Sequence, residues 1–243
     1  MISHSTIIIS MHITVAMAVD RCHGIRMKVV AVYNNKGGIG KTTFSAHIAI
    51  YAAGFRIRTL AVGLDRQGDL VRWLAGGDCA LQDGTSFRKN EHLCVLYSPM
   101  ELPDQEFMED YELVVVDCPP NVEIVDSVTA DLWIVPLDGR LAMENLGNIY
   151  GTLRSADGTI YIVLNRCDMI GKRALEGLKR AAHQIPHATV RSKPIPSSAA
   201  IAKAAEYFRP VWEVPYGRKT YGAKAVRGLC DDVLRASDFG GRL

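Results

Sequence analysis

Residues 28–43 read KVVAVYNNKGGIGKTT, and this stretch decides the fold. Its first six residues are almost all apolar, which is typical of a strand buried on both faces of a parallel sheet. The glycine-rich turn leads into Thr42–Ala53, which is apolar nearly all round and predicts a buried helix. A glycine loop between a buried strand and a helix is typical of a phosphate site, because backbone N–H groups and the helix N-terminus both favour an anion.

Outward from this loop, short apolar runs alternate with helix-length segments. Strands are predicted at Arg58–Leu64, Leu113–Asp117, Leu132–Pro136 and Thr159–Asn165, and helices at Met143–Leu153 and Gly171–Ala182. Strands that alternate with helices indicate βαβ units with right-handed crossovers. The predicted fold class is therefore α/β, with a doubly wound, mostly parallel sheet and helices on both of its faces.

The length of 243 residues is enough for one large α/β domain. We expect a single domain over residues 27–243, because no repeat or linker interrupts it. Residues 1–26 include an apolar run, Ile7–Val19, which is too short to span a bilayer and has no Lys or Arg before it. We interpret residues 1–26 as a dispensable extension or a misassigned start. An amphipathic or strand-adding arm is the alternative.

The glycine loop carries the residue types that phosphate binding requires. Glycines let the backbone N–H groups close around phosphate oxygens. Lys41 would reach the β and γ phosphates of a nucleotide, and the Thr42 hydroxyl would ligate Mg²⁺. The predicted phosphate-binding set is Gly37, Gly38, Ile39, Gly40, Lys41, Thr42 and Thr43.

The pattern K-G-G-x-G-K-T is the deviant Walker A motif, and here the chain resembles the ParA/MinD family of Walker-type ATPases. Later segments continue the resemblance in the family's order. Leu64–Leu70 is similar to the motif D-x-D-P-Q-G-N, Tyr111–Pro120 to the Walker B segment, and Val163–Arg166 to the strand whose asparagine contacts adenine. Ile195–Ser198 and Ala204–Val211 resemble the family's C-terminal block, so the resemblance covers about residues 28–212.

The resemblance implies a role for each matched residue. Lys36 would be the signature lysine that crosses a dimer interface to the partner's nucleotide, and it is expected to act in catalysis with Lys41 and Asp65. Asp117 would hold Mg²⁺ through water, and Asn165 would contact adenine. The implied cofactors are ATP or ADP and Mg²⁺, and the implied activity is Mg²⁺-dependent ATP hydrolysis that is weak unless stimulated. A helix N-cap is the alternative role for both aspartates.

Two residues depart from the family pattern. Gly63 stands where the family usually has its first acidic residue, and Arg66 stands where it has proline. Because Asp65 retains the family's second acidic position, we expect hydrolysis that is slower or differently tuned.

The net charge of +2 conceals an uneven distribution. Residues 172–243 carry 14 Lys/Arg and 6 Asp/Glu, whereas residues 1–171 carry 14 and 20. A basic segment of this kind can mark a polyanion partner, and in the resembled family the corresponding surface binds DNA without sequence preference. The candidate DNA-binding residues are Arg191, Lys193, Lys203, Arg218, Lys219 and Lys224. Dispersed solvated charge is the alternative.

The resemblance is to the small ParA/Soj-type partition ATPases, which lack an N-terminal helix-turn-helix domain. In these proteins an ATP-bound homodimer binds non-specific DNA, and a ParB-like adaptor stimulates hydrolysis and release, which segregates plasmid or chromosomal DNA. The implied location is cytoplasmic and nucleoid-associated, without a stable membrane anchor. The last predicted helix, Gly222–Ser237, carries two aspartates and an apolar face that we expect to pack on the core.

Two other functions stay open as alternatives. The first is a MinD-like membrane-cycling regulator of cell division. The second is a metabolic or metal-cluster relative, although the six cysteines form no C-x-x-C pair.

Overall fold

The computed structural model describes residues 26–77 and 79–243. The expectation for residues 1–26 therefore lies, apart from Arg26, outside the described residues. The described part contains one eight-stranded sheet in the order β3-β4-β2-β5-β1-β6-β7-β8. The strands are β1 Lys28–Val32, β2 Thr59–Gly63, β3 Ser86–Asn90, β4 Leu93–Tyr97, β5 Leu113–Asp117, β6 Leu132–Asp138, β7 Thr159–Asn165 and β8 Ala188–Val190.

All neighbouring strands pair in parallel except β3, which lies antiparallel to β4 at one edge. This arrangement confirms the predicted α/β class and the mostly parallel sheet. The bounds predicted for β5 and β7 agree with the structure, whereas β6 continues two residues further, to Asp138.

The helices lie in two layers, one on each face of the sheet. They are α1 Lys41–Gly54, α2 Asp69–Ala75, α3 Gln105–Met108, α4 Ile124–Ser127, α5 Ala142–Ser155, α6 Lys172–Ala182, α7 Ala199–Glu206 and α8 Tyr221–Ala236. Helices α1, α2, α7 and α8 contribute to one apolar core, and α3 to α6 contribute to the other. The predicted apolar face of α8 is buried in the first core, as expected, through Val226, Leu229, Cys230, Val233 and Leu234.

The register of the central strands places three chain segments at one edge of the sheet. Val32 at the end of β1 and Gly63 at the end of β2 both lie opposite Asp117, the last residue of β5. Strands β5 and β2 lie on one side of β1, whereas β6 and β7 lie on its other side. The strand order therefore reverses at β1. Ligands of doubly wound sheets bind beyond the carboxyl ends of strands at such a point.

Within the described residues, none of the helices has the length and apolar character that a membrane crossing requires.

Candidate nucleotide-binding site

The loop between β1 and α1 has the backbone shape of an anion site. Gly38 has φ 66° and Gly40 has φ 103°, values that side-chain-bearing residues rarely adopt. A Cβ built on Gly40 would lie 2.5 Å from Nδ2 of Asn165, so space also requires glycine there. The loop opens directly into the 14-residue helix α1, whose N-terminal N–H groups have no partners within the helix.

Two buried amide side chains hold this loop against the sheet. Asn34 donates from Nδ2 to the carbonyl of Pro136 at 2.8 Å and accepts the backbone N–H of Lys36 at 2.8 Å. Asn165, at the end of β7, donates from Nδ2 to the carbonyl of Ile39 at 2.8 Å. Asn165 therefore braces the phosphate loop, and the adenine contact expected of it stays a prediction.

The two lysines of the loop differ in their exposure to solvent. Lys41 is buried, and its ammonium donates to the carbonyl of Lys36 at 3.1 Å. Burial lowers the pKa of Lys41, and the carboxylates of Asp117 and Asp65 oppose that shift. Lys36, in contrast, is exposed at the rim of the loop. One lysine is thus buried within the loop, and the other is accessible to a second molecule.

Asp117 is the buried carboxylate of the site. Its Oδ2 accepts the hydroxyl of Thr42 at 2.8 Å, and its Oδ1 lies 3.1 Å from the hydroxyl of Ser45. Burial raises the pKa of Asp117 to about 7, although both hydroxyls favour the charged form. Ser45 was missed in the sequence, yet it lies one turn after Lys41 on the same face of α1 and could have been found from that spacing.

Asp65 follows β2 and completes the acidic side of the site. Its Oδ1 accepts the backbone N–H of Gln67 at 3.0 Å. Its negative charge acts to raise the pKa of both Lys41 and Asp117. The departure at Gly63 has a steric basis, because a Cβ there would lie 3.1 Å from Cγ2 of Val71. A side chain at that position would therefore require Val71 to shift.

The residues present fit a Mg²⁺-bound nucleotide. Thr42 and Asp117 bring two oxygen ligands together, and oxygen is the donor that Mg²⁺ prefers. A desolvated carboxylate such as Asp117 is stabilised by a nearby cation. A small cleft of about 30 Å³ beside the loop is lined by residues 36–39 together with Asp138, Asn165 and Arg166. Asp138 and Arg166 had no signal in the sequence, because they join the site only through the pairing of β6 with β7.

Comparison with known proteins identifies the family. Residues 30–211 match the model of the CobQ/CobB/MinD/ParA nucleotide binding domain. The chain belongs to this family. The sporulation initiation inhibitor protein Soj of Bacillus subtilis is 22% identical over 253 residues, which cover 85% of this chain and 98% of Soj.

Two solved structures of family members share the fold. The ATP complex of a Cyanothece McdA variant has a TM-score of 0.69 and 16% identity, covering 87% of this chain and 98% of that one. The septum site-determining protein MinD of Pyrococcus horikoshii, complexed with Mg-ADP, has a TM-score of 0.68 and 17% identity, covering 90% and 99%. The expected α/β nucleotide-binding fold of the ParA/MinD family is therefore confirmed.

In this ParA/MinD-family chain, five of the six candidate DNA-binding residues are exposed. The exposed ones are Lys193, Lys203, Arg218, Lys219 and Lys224. The sixth prediction, Arg191, is wrong as a surface contact, because its side chain is only 4% exposed and its Nε lies 2.7 Å from Oδ2 of Asp232. The sequence could not show this pairing, since the two residues are 41 positions apart.

The basic residues of the last third do not share one face. Lys203 and Lys224 lie on α7 and α8, which pack on the first core together with α1. Lys172, Arg173, Lys179 and Arg180 lie on α6, which packs on the second core at the opposite face of the sheet. The excess positive charge is thus divided between two surfaces.

Proposed function

We propose that this chain is a partition or positioning ATPase whose ATP-bound homodimer binds DNA without sequence preference. The observation that carries the proposal is the pair of loop lysines, of which Lys41 is buried and Lys36 is exposed. A lysine at the rim can reach a phosphoryl group bound by a second copy, where developing negative charge requires a cation. Hydrolysis then depends on dimerisation.

The other site residues have complementary roles in this proposal. Lys41 binds the phosphates of ATP, and Thr42 with Asp117 holds Mg²⁺, Asp117 acting through water. Bound Mg²⁺ supplies positive charge to the phosphate oxygens. Asp65 lies at the acidic edge of the same site and orients the attacking water, and Asn165 keeps the loop in its phosphate-binding shape.

The proposed DNA surface is formed by the exposed cations on the α7 and α8 side of the sheet, among them Lys203 and Lys224. Cations that neutralise backbone phosphates release counterions, which gives binding that is sequence-independent and sensitive to salt. A dimer doubles the number of such contacts, so ATP-driven pairing controls affinity. An adaptor of ParB type bound to the cargo would stimulate hydrolysis and release the dimer, in a cycle that takes place on the nucleoid in the cytoplasm.

A membrane-cycling function of MinD type has less support from the described residues. The apolar face of α8 packs in the core, with Val226 and Val233 fully buried, so α8 presents no apolar stripe to a bilayer. Liposome co-sedimentation that requires ATP and the last 20 residues would favour this function instead.

The test of the proposal is the variant Lys36→Ala, with Lys36→Arg as the control that keeps the charge. We expect K36A to bind a fluorescent ATP analogue within about threefold of the native protein, because Lys41 still contacts the phosphates. ATP turnover in the presence of DNA and adaptor should fall at least about tenfold, and K36R should retain part of it. Native stimulated turnover in K36A would contradict the role of Lys36. Failure of ATP and Mg²⁺ to induce salt-sensitive binding to random-sequence DNA would contradict the whole proposal.

A further inference from the structure

Helix α6 presents a row of cations to solvent that the proposed DNA surface does not include. This α6 stripe consists of Lys172, Arg173, Lys179 and Arg180. At 100° per residue the four side chains fall within an arc of about 120°, and the two pairs lie about 10 Å apart along the helix. The acidic residue within this arc, Glu176, is paired with Lys179 at 3.0 Å, so most of the positive charge is left for an external anion.

The neighbouring helix extends the α6 stripe at one end. Tyr150 on α5 donates its hydroxyl to the carbonyl of Gln184, just after α6, and the guanidinium of Arg154 lies 5.7 Å from the centre of the Tyr150 ring. Three exposed acidic residues lie nearer to α6: Glu144 near the start of α5, Asp157 just after α5, and Asp168 four residues before α6. The other exposed acidic residues of the same face belong to α3, α4 and their flanking loops. These lie two helices away, about 20 Å at ordinary helix spacing, which exceeds the Debye length of about 8 Å.

The α6 stripe and the proposed DNA surface point in opposite directions. One core, on the side of α8, contains Val226 and Leu229, and the other, on the side of α6, contains Leu178 and Ala182. A sheet with one helix layer on each side is about 30 Å thick. Because the persistence length of DNA is about 150 bp, a duplex does not fold around such a short distance without a large bending cost.

A bilayer is a poorer partner than DNA for this helix. Leu178 and Ala182 of α6 are 1% exposed, and Leu175 and Ala181 are partly buried against the same core, so the helix has no large apolar side chain free to insert between acyl chains. A cationic row without an accessible apolar face binds a polyanion by charge alone.

From these observations we infer that the α6 stripe binds a second DNA duplex, so that the protein bridges two DNA segments through opposite faces of its sheet. This inference rests on the proposed function, because the first duplex is bound at the α7 and α8 side. It adds a property that the proposed function does not need, namely bridging.

The test is capture of a second duplex. A biotinylated random-sequence duplex on beads is loaded with protein, ATP and Mg²⁺, washed, and exposed to a fluorescent duplex. The variant Lys172→Ala, Arg173→Ala, Arg180→Ala leaves the Lys179–Glu176 pair intact, and alanine favours the helix. Its matched control, Lys172→Arg, Arg173→Lys, Arg180→Lys, keeps every charge.

We expect the native protein and the control to capture the fluorescent duplex, and the alanine variant to load on the beads but capture at least about tenfold less. Three lost phosphate contacts should also reduce the salt slope of capture by about 3. Capture by the alanine variant at the native level, or no capture by a native protein that loads on the beads, overturns the inference and leaves the proposed function standing. No loading of the native protein overturns both. Binding of the stripe to vesicles of equal parts phosphatidylcholine and phosphatidylglycerol in place of DNA also overturns it.

Discussion

The buried histidine of α1 makes the stability of this protein dependent on pH. His47 is 1% exposed, and its Nδ1 lies 2.6 Å from the carbonyl oxygen of Thr43, so Nδ1 carries the proton. Its Nε2 accepts the backbone N–H of Val211 at 2.9 Å and must therefore be unprotonated. Burial lowers the pKa of His47 to about 4, compared with 6.5 for an ordinary histidine.

The direction of the effect follows from these two values. Below pH 6.5 the unfolded chain takes up a proton at position 47, while the folded protein does not do so until the pH approaches about 4. Stability is therefore lost as the pH falls through this window. The loss amounts to about 2 kcal/mol at pH 5 and approaches about 3 kcal/mol below pH 4.

The measurement is urea unfolding of the native protein and of His47→Gln, near neutral pH and at about pH 5. The native protein should lose about 2 kcal/mol more than the variant between these conditions. Asp117, whose raised pKa of about 7 adds stability as the pH falls, acts in the opposite direction in both proteins and cancels in the difference. The exposed His183→Gln serves as the control and should behave as the native protein does. An equal loss in the native protein and H47Q would refute the reasoning.

Three further predictions concern single contacts. Gly40→Ala should weaken ATP binding at least about tenfold in a fluorescence titration, because its Cβ would collide with Asn165; unchanged affinity would contradict the loop geometry. Gly63→Asp should destabilise the protein by about 2 kcal/mol in urea, because a methyl group lies 3.1 Å from its Cβ position and the site is buried; Gly63→Ala should cost less. Asp232→Ala should lower the free energy of unfolding by about 2 kcal/mol, because it leaves the buried Arg191 without its carboxylate partner. An unchanged urea midpoint would show that the pair contributes nothing to stability.

The residues around the phosphate loop could be predicted because their chemistry is local. The glycine turn, Lys41 and Thr42 are adjacent in the chain, and the strand that ends at Asp117 is uniformly apolar. The predicted bounds of that strand were correct for the same reason, since a run of valines buried on both faces has no competing pattern.

The edge of the sheet was missed because its residues carry no comparable pattern. β3 has the sequence SFRKN and is mostly exposed, so its strand conformation depends on antiparallel pairing with β4. β8 is three residues long and pairs only with β7. The sequence left open whether the basic residues share one face, since the layer that a helix joins depends on the order of the strands in space.

Helix α1 carries side chains that contact both the phosphate site and the C-terminal segment. At its start, the Ser45 hydroxyl lies 3.1 Å from the carboxylate of Asp117. Half a turn later, His47 binds the backbone of Val211, and one turn beyond that the hydroxyl of Tyr51 donates to a carboxylate of α8 at 2.6 Å. These bonds hold both Val211 and α8 to the helix that follows the phosphate loop. The nucleotide site and the proposed DNA surface therefore share a structural element, and the His47 bond is the part of that connection which protonation breaks.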